Sequence, residues 1–242
     1  MPDWLLPLCF FLASILYASV GHGGASAYLA VMGLVGMAPA EMKPVALTLN
    51  IAVSLIALIM FARAGHFRWH LFWPLALASV PAAFLGGWLS APDTIFKLIL
   101  ALALLFGAWR LVFGKSSGED TCHTPHLPAM LGTGVALGFL SGLIGIGGGI
   151  FLTPLLIFLR WSTSQTAAAV SAAFIFANSI SGLAGFIVKD SSVPDLTWTL
   201  LPAVLIGGWI GSTWGSHRAG SPALRRSLAA VLLVAAAKFA II

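Results

Sequence analysis

Few residues in this chain could do chemistry, and they are grouped. His22 lies inside Gly21-His22-Gly23-Gly24, and a second glycine run, Gly145-Ile146-Gly147-Gly148-Gly149, follows 124 residues later (145 − 21 = 124). Asn50 and Asn178 are the only side-chain amides expected deep within apolar segments. All seven carboxylates (Asp3, Glu41, Asp93, Glu119, Asp120, Asp190, Asp195) fall in termini, loops or helix ends. A site built from such parts has backbone N–H groups, amides and one imidazole, and no buried negative charge. Its natural guest is an anion: an unwound glycine segment opening a helix offers N–H donors and the positive end of the helix dipole. Glycine packing alone is the competing explanation, since small residues also let membrane helices approach closely.

The elements that must hold these residues are membrane helices. The 242 residues are 60% hydrophobic and 8% charged, with a mean hydropathy of +1.02. A soluble domain carries about 25% charged residues, so this chain could not supply itself with a polar shell. The uncharged run from Leu127 to Leu159 would make a straight helix roughly 50 Å long, against a hydrocarbon core of about 30 Å. It must break, and the glycines mark the place because they adopt positive φ freely. The run Trp4 to Ala40, free of Lys, Arg and carboxylates, contains the other break.

Taken in order, the apolar segments are Trp4–Val20, Ala25–Gly36, Met42–Ala62, Leu71–Ser90, Ile95–Trp109, Leu127–Ile144, Ile150–Leu159, Thr163–Val188, Leu196–Ser216 and Ala223–Ile242. The second and seventh are too short to span comfortably. Residues 114–126 form a polar connector, so residues 1–113 make a first membrane repeat and 127–242 a second. The halves agree in residue order: a glycine break, a long helix with Asn50 or Asn178, a helix with Pro74 or Pro202, then Gly86-Gly87 or Gly207-Gly208. The expected fold is an all-α polytopic membrane protein. It is an inverted repeat of two five-segment halves, each with a glycine-broken helical hairpin, because an odd segment count makes the second half enter from the opposite face.

Basic residues set the orientation. Arg63, Arg68, Arg110, Lys115, Arg218, Arg225 and Arg226 fall on one side, which the positive-inside bias makes cytoplasmic. Arg160 is the exception if the seventh segment crosses fully. Met1-Pro2-Asp3 lacks the basic start of a cleaved signal sequence. Trp4, Trp69, Trp73, Trp88, Trp109, Trp161 and Trp198 sit at helix ends, as interfacial anchors do. Cys9 and Cys122 lie in unlike settings, so neither a disulfide nor a metal site is expected. Nothing calls for a cofactor, a catalytic group or a nucleic-acid partner.

These features place a small-anion site where the two breaks meet near the bilayer centre. Its candidate residues are Gly21, His22, Gly23, Gly24, Asn50, Gly145, Gly147, Gly148, Gly149 and Asn178. Cation and proton carriers commonly keep Asp or Glu at depth, and their absence there argues against a metal-cation substrate. His22 is either a proton partner or donor to the anion, or a histidine bonded to unwound backbone. Ser26, Thr48, Ser54, Ser171, Ser179 and Ser181 could add donors, and Lys43 reads first as an interfacial lysine.

The run Gly142-Leu143-Ile144-Gly145-Ile146-Gly147-Gly148-Gly149 with Pro154, its degenerate partner Gly21–Gly24, and the alanine-rich stretch from Gln165 before Asn178 resemble the sulfite exporter TauE/SafE family of membrane transporters. The resemblance covers essentially the whole chain, although His22 and Ala25 depart from the usual first motif. It implies transport of sulfite, organosulfonates or related oxyanions, often outward, across the bacterial inner membrane. A coupled proton and a homodimeric assembly stay open. So do two other classes, an intramembrane enzyme acting on lipid phosphate and a passive anion channel. The enzyme would need an acid or base partner that His22 lacks at helical spacing.

Overall fold

The computed structural model describes residues 4–89, 91–113, 123, 125–189 and 192–217, with 233, 236 and 237 standing alone. Among the described residues the chain is all-helical, with nine helices and no strands. They are α1 (Leu5–Ala18), α2 (Ala25–Leu34), α3 (Pro39–Arg63), α4 (Trp69–Trp88), α5 (Asp93–Phe113), α6 (Leu127–Ile144), α7 (Gly149–Phe158), α8 (Ser164–Lys189) and α9 (Leu196–His217). Five of them, α3, α4, α6, α8 and α9, are long and apolar enough to cross a membrane. The protein is therefore a multi-pass membrane protein. Most of the expected last segment, Ala223–Ile242, and most of the polar connector fall outside the described residues.

Helix ends follow local chemistry. α3 begins at Pro39, three residues before the expected start, because proline at the first helical position gives up no hydrogen bond. α2 and α7 each have 10 residues, about 15 Å, half a bilayer crossing. Both open on a glycine cap in the left-handed region, Gly24 at φ 101° and Gly148 at φ 78°.

Three pairs of left-handed positions repeat with one offset, while Gly65 and Gly147 have no left-handed counterpart. Gly21 matches Gly145, Gly24 matches Gly148, and Gly36 matches Arg160 (145 − 21 = 148 − 24 = 160 − 36 = 124). At the last pair the backbone closes α2 and α7 in the same way. Gly36 and Met37 donate to Gly33 and Met32, and Arg160 and Trp161 donate to Ile157 and Leu156. Arg160, at φ 54°, is the one non-glycine among the described residues with positive φ.

Packing is exchanged between the halves. α1 lies along α9 while α6 lies along α4, and α3 meets α9 while α8 meets α4. The limbs of each break pack chiefly on other helices: α1 on α9 and α2 on α3, α6 on α4 and α7 on α8, while α1 and α2 also touch each other. The paired glycines show the exchange residue by residue. Gly86 of α4 lies on the Phe139 carbonyl of α6, and Gly87 lies on Gly182 of α8. Gly207 of α9 lies on Ser14 and Phe11 of α1, and Gly208 lies on Val53 of α3. Without Cβ atoms these backbones come close enough for packing that hydrophobicity cannot drive inside a bilayer.

Polar side chains within the bundle are largely bonded. Ser14, Ser19, Thr48, Ser54 and Ser212 donate to carbonyls of their own helices. Among the described residues three hydroxyls join helices: Thr153 of α7 donates to Ser171 of α8 at 2.7 Å, Ser181 of α8 to the Val80 carbonyl of α4 at 2.6 Å, and Ser26 of α2 to the Tyr17 hydroxyl of α1 at 2.7 Å. Trp4, Trp69, Trp73, Trp88, Trp109 and Trp198 are exposed, as anchors should be. Trp161 is not; it packs against the cluster of Leu71, Leu75, Leu152, Leu156 and Phe174.

Candidate functional site

The first break runs from the end of α1 through Gly21, His22, Gly23 and Gly24 to Ala25, and the second from Gly145 to Gly149. They meet at Asn50 of α3, which is fully buried. Its Oδ1 accepts the backbone N–H of Ala25 at 3.1 Å, and its Nδ2 donates to the Ile146 carbonyl at 3.1 Å. One amide thus supplies the acceptor that opens α2 and the donor that satisfies the second break. Glycine is required on both sides of it. A Cβ on Gly23 would overlap Asn50 Oδ1, and one on Gly147 would stand 2.6 Å from Nδ2.

His22 makes the second link. Its ring is 9% exposed, with Nδ1 2.9 Å from the Val20 carbonyl and Nε2 2.9 Å from the Gly149 carbonyl. Tyr17 meets the ring edge-on at 6.2 Å, and the Tyr17 hydroxyl accepts from Ser26 at 2.7 Å. Ile175 of α8 fills the angle between the breaks. A Cβ on Gly147 would stand 2.8 Å from its Cγ2, one on Gly23 3.2 Å from the same methyl, and one on Gly149 would overlap its Cδ1.

The structure therefore brings Gly23, Gly147, Gly149, His22 and Asn50 together, with Gly24 and Gly148 as the caps beside them. Gly21 packs against the Ala168 backbone of α8, and a Cβ on Gly145 would stand 3.2 Å from the Lys43 carbonyl oxygen of α3, so these two shape the limbs. Asn178 behaves unlike Asn50. Its Nδ2 donates to the Phe174 carbonyl of its own helix at 2.9 Å, and its buried Oδ1 has no partner among the described residues. Ser179, next along α8, is fully buried with an unpartnered hydroxyl. That hydroxyl lies 3.2 Å from where a Cβ of Gly147 would be.

Backbone donors remain at the junction. Among the described residues, the N–H groups of Gly23, Gly24, Gly147 and Gly148 have no protein acceptor. The N–H of Ala25, by contrast, is already taken by Asn50. Donors without acceptors at the start of two facing half-helices are suited to an oxyanion.

Ile175 gives no sign in the sequence, being one apolar residue in an apolar helix. Lys43 differs from its interfacial expectation. It is 6% exposed, and its ammonium donates to the carbonyls of Gly86, Gly87 and Leu89 at 3.2, 2.8 and 3.3 Å. These carbonyls close α4, whose C-terminal dipole favours a cation. The Phe186 ring lies 5.7 Å from the ammonium. Glu41-Met42-Lys43 carries no pattern that would reveal this, because the partners come from another helix.

The family model for the sulfite exporter TauE/SafE family matches residues 6–239. The chain is 37% identical over 238 residues to the probable membrane transporter protein y4hK of Sinorhizobium fredii, covering 96% of each chain. It is 27% identical over 133 residues to the probable membrane transporter protein YunE of Bacillus subtilis, covering 50% of this chain and 47% of that one. With the sulfite exporter TauE/SafE family protein 3 of Arabidopsis thaliana it shares 28% identity over 111 residues, 46% of this chain and 23% of the other. No solved structure matches. A broken-helix membrane bundle and a family match over nearly the whole length agree, and the chain belongs to the sulfite exporter TauE/SafE family of membrane transporters.

Proposed function

We propose that this protein carries a small sulfur oxyanion, sulfite or an organosulfonate, outward across the bacterial cytoplasmic membrane. The anion binds where the two breaks meet, on the N–H groups of Gly23, Gly24, Gly147 and Gly148. Asn50 holds those groups in register and Ser179 adds a hydroxyl. One observation carries the reading: a single buried amide ties the start of α2 to the second break, beside backbone donors that have no acceptor among the described residues.

The sign follows from electrostatics. Two helix N-termini, each carrying about half a positive charge, favour a negative guest. A sulfur oxyanion offers several acceptor oxygens to those donors. Binding needs no covalent step, so no catalytic group is invoked. The exchanged packing of α1, α3, α4 with α9, α8, α6 supports an inverted repeat, in which either half can open the junction to one face.

A thermal-shift screen of the purified protein against sulfite, sulfate, thiosulfate, organosulfonates and carboxylates tests this directly. At a ligand concentration of a hundred Kd a true ligand stabilises by about 2.7 kcal/mol. The expected result is stabilisation by sulfur oxyanions above carboxylates, and efflux of the same anions from proteoliposomes. Equal, negligible shifts across the series would contradict the reading.

A further inference from the structure

We propose that His22 takes up a proton together with the anion, so that the junction binds the two as a unit. This deepens the anion-site reading and rests on it. The observation is the ring's setting: both nitrogens face carbonyl oxygens, Val20 at 2.9 Å and Gly149 at 2.9 Å. A neutral imidazole has one N–H and one lone pair, so either tautomer leaves a lone pair against a carbonyl lone pair. Only the imidazolium donates to both. The two carbonyls belong to different breaks, so the protonated ring is also a cross-link between them.

An imidazolium here stands beside the positive ends of α2 and α7, which disfavour it. An anion on the neighbouring N–H groups reverses that balance. Proton and anion therefore each strengthen the binding of the other, by the same factor. Titratable side chains on the surrounding elements are few. α1 contributes Cys9 and Tyr17, of which Tyr17 meets the ring edge-on. α2 has Tyr28; α3 has Glu41 in its first turn, Lys43 on the α4 carbonyls, and Arg63 in its last turn. α6 and α7 have none, and α8 has Lys189 at its end.

The test is isothermal titration of the protein with sulfite, sulfate, thiosulfate and methanesulfonate at pH 7.5, in two buffers of different ionisation enthalpy. Sulfate, thiosulfate and methanesulfonate do not titrate near this pH, so proton uptake with them reports the protein; sulfite, which exchanges a proton near neutrality, is compared for affinity alone. The buffer dependence should report net uptake of about one proton per bound anion. Affinity should weaken by up to about tenfold per pH unit above neutrality, the limit for one linked proton. His22→Gln should bind the anion more weakly at this pH, having lost the linked proton, and its proton uptake and pH slope should both be gone; His22→Asn serves if the longer amide prevents folding. Anion binding without proton uptake by the native protein, or undiminished uptake by the folded variant, would overturn the inference and leave the anion site standing. Failure of every anion to bind would overturn the site reading itself, and this inference with it.

Discussion

The side-chain nitrogen of Asn50 donates to the backbone carbonyl of Ile146 at 3.1 Å, joining residues 96 positions apart. The same amide accepts from Ala25. Removing it strands a carbonyl and an N–H in a buried place, at about 1–3 kcal/mol for each group. Relaxation and repartnering in a membrane protein reduce such losses.

Asn50→Ala should therefore lower stability by about 1–3 kcal/mol and abolish anion efflux from proteoliposomes. Asn50→Asp keeps an acceptor for Ala25 but offers no donor to Ile146, and it places a carboxylate beside the proposed anion. It should lose efflux even where thermal unfolding shows the protein folded. Normal efflux in a folded Asn50→Asp protein would remove this residue from the site.

Glycine positions should separate by what their missing Cβ would meet. Gly147 has φ 78° and would press on both Asn50 and Ile175, so Gly147→Ala should eliminate transport and sharply reduce folded yield. Gly36 has φ 84° and open space around it. Gly36→Ala should cost only the left-handed backbone penalty of about 1–2 kcal/mol and leave efflux intact. Yield in detergent and efflux, measured for both, check the contrast.

Arg160 stands where the other half has Gly36. Replacing it with glycine should relieve strain in the left-handed region, against a higher chain entropy in the unfolded state. The expected result is a gain of about 0.5–1 kcal/mol, read as a rise in the thermal unfolding midpoint. A fall in that midpoint would mean the arginine side chain stabilises the end of α7 by more than its backbone loses.

The two glycine pairs offer a comparison across the repeat. At Gly87 a Cβ would overlap the Gly182 backbone, while at Gly208 it would stand 3.1 Å from a methyl of Val53, a side chain that can yield. Gly87→Ala should cost about 1–3 kcal/mol and Gly208→Ala less than about 1 kcal/mol. Chemical unfolding of both variants checks the order.

Much of this architecture can be read from residue order. The breaks are visible because glycine runs interrupt stretches too long for one crossing, and the half-chain offset is visible because Gly21, Gly24, Gly86 and Gly87 have counterparts. The junction is less legible. Asn50 and Asn178 occupy like positions in like helices, yet one reaches both breaks and the other bonds Phe174 in its own helix. That choice depends on how close each neighbouring backbone comes, which Gly23 and Gly147 permit around Asn50. Lys43 and Trp161 show the same limit. Their types suit an interface, but carbonyls of α4 and the Leu152–Leu156 cluster draw them inward.

The most direct measurement is the position of a bound anion, found by determining the structure of the protein with whichever oxyanion stabilises it most. That anion should lie within hydrogen-bonding distance of the N–H groups of Gly23 or Gly24 and of Gly147 or Gly148, beside Asn50. An anion bound elsewhere, with those groups untouched, would contradict it.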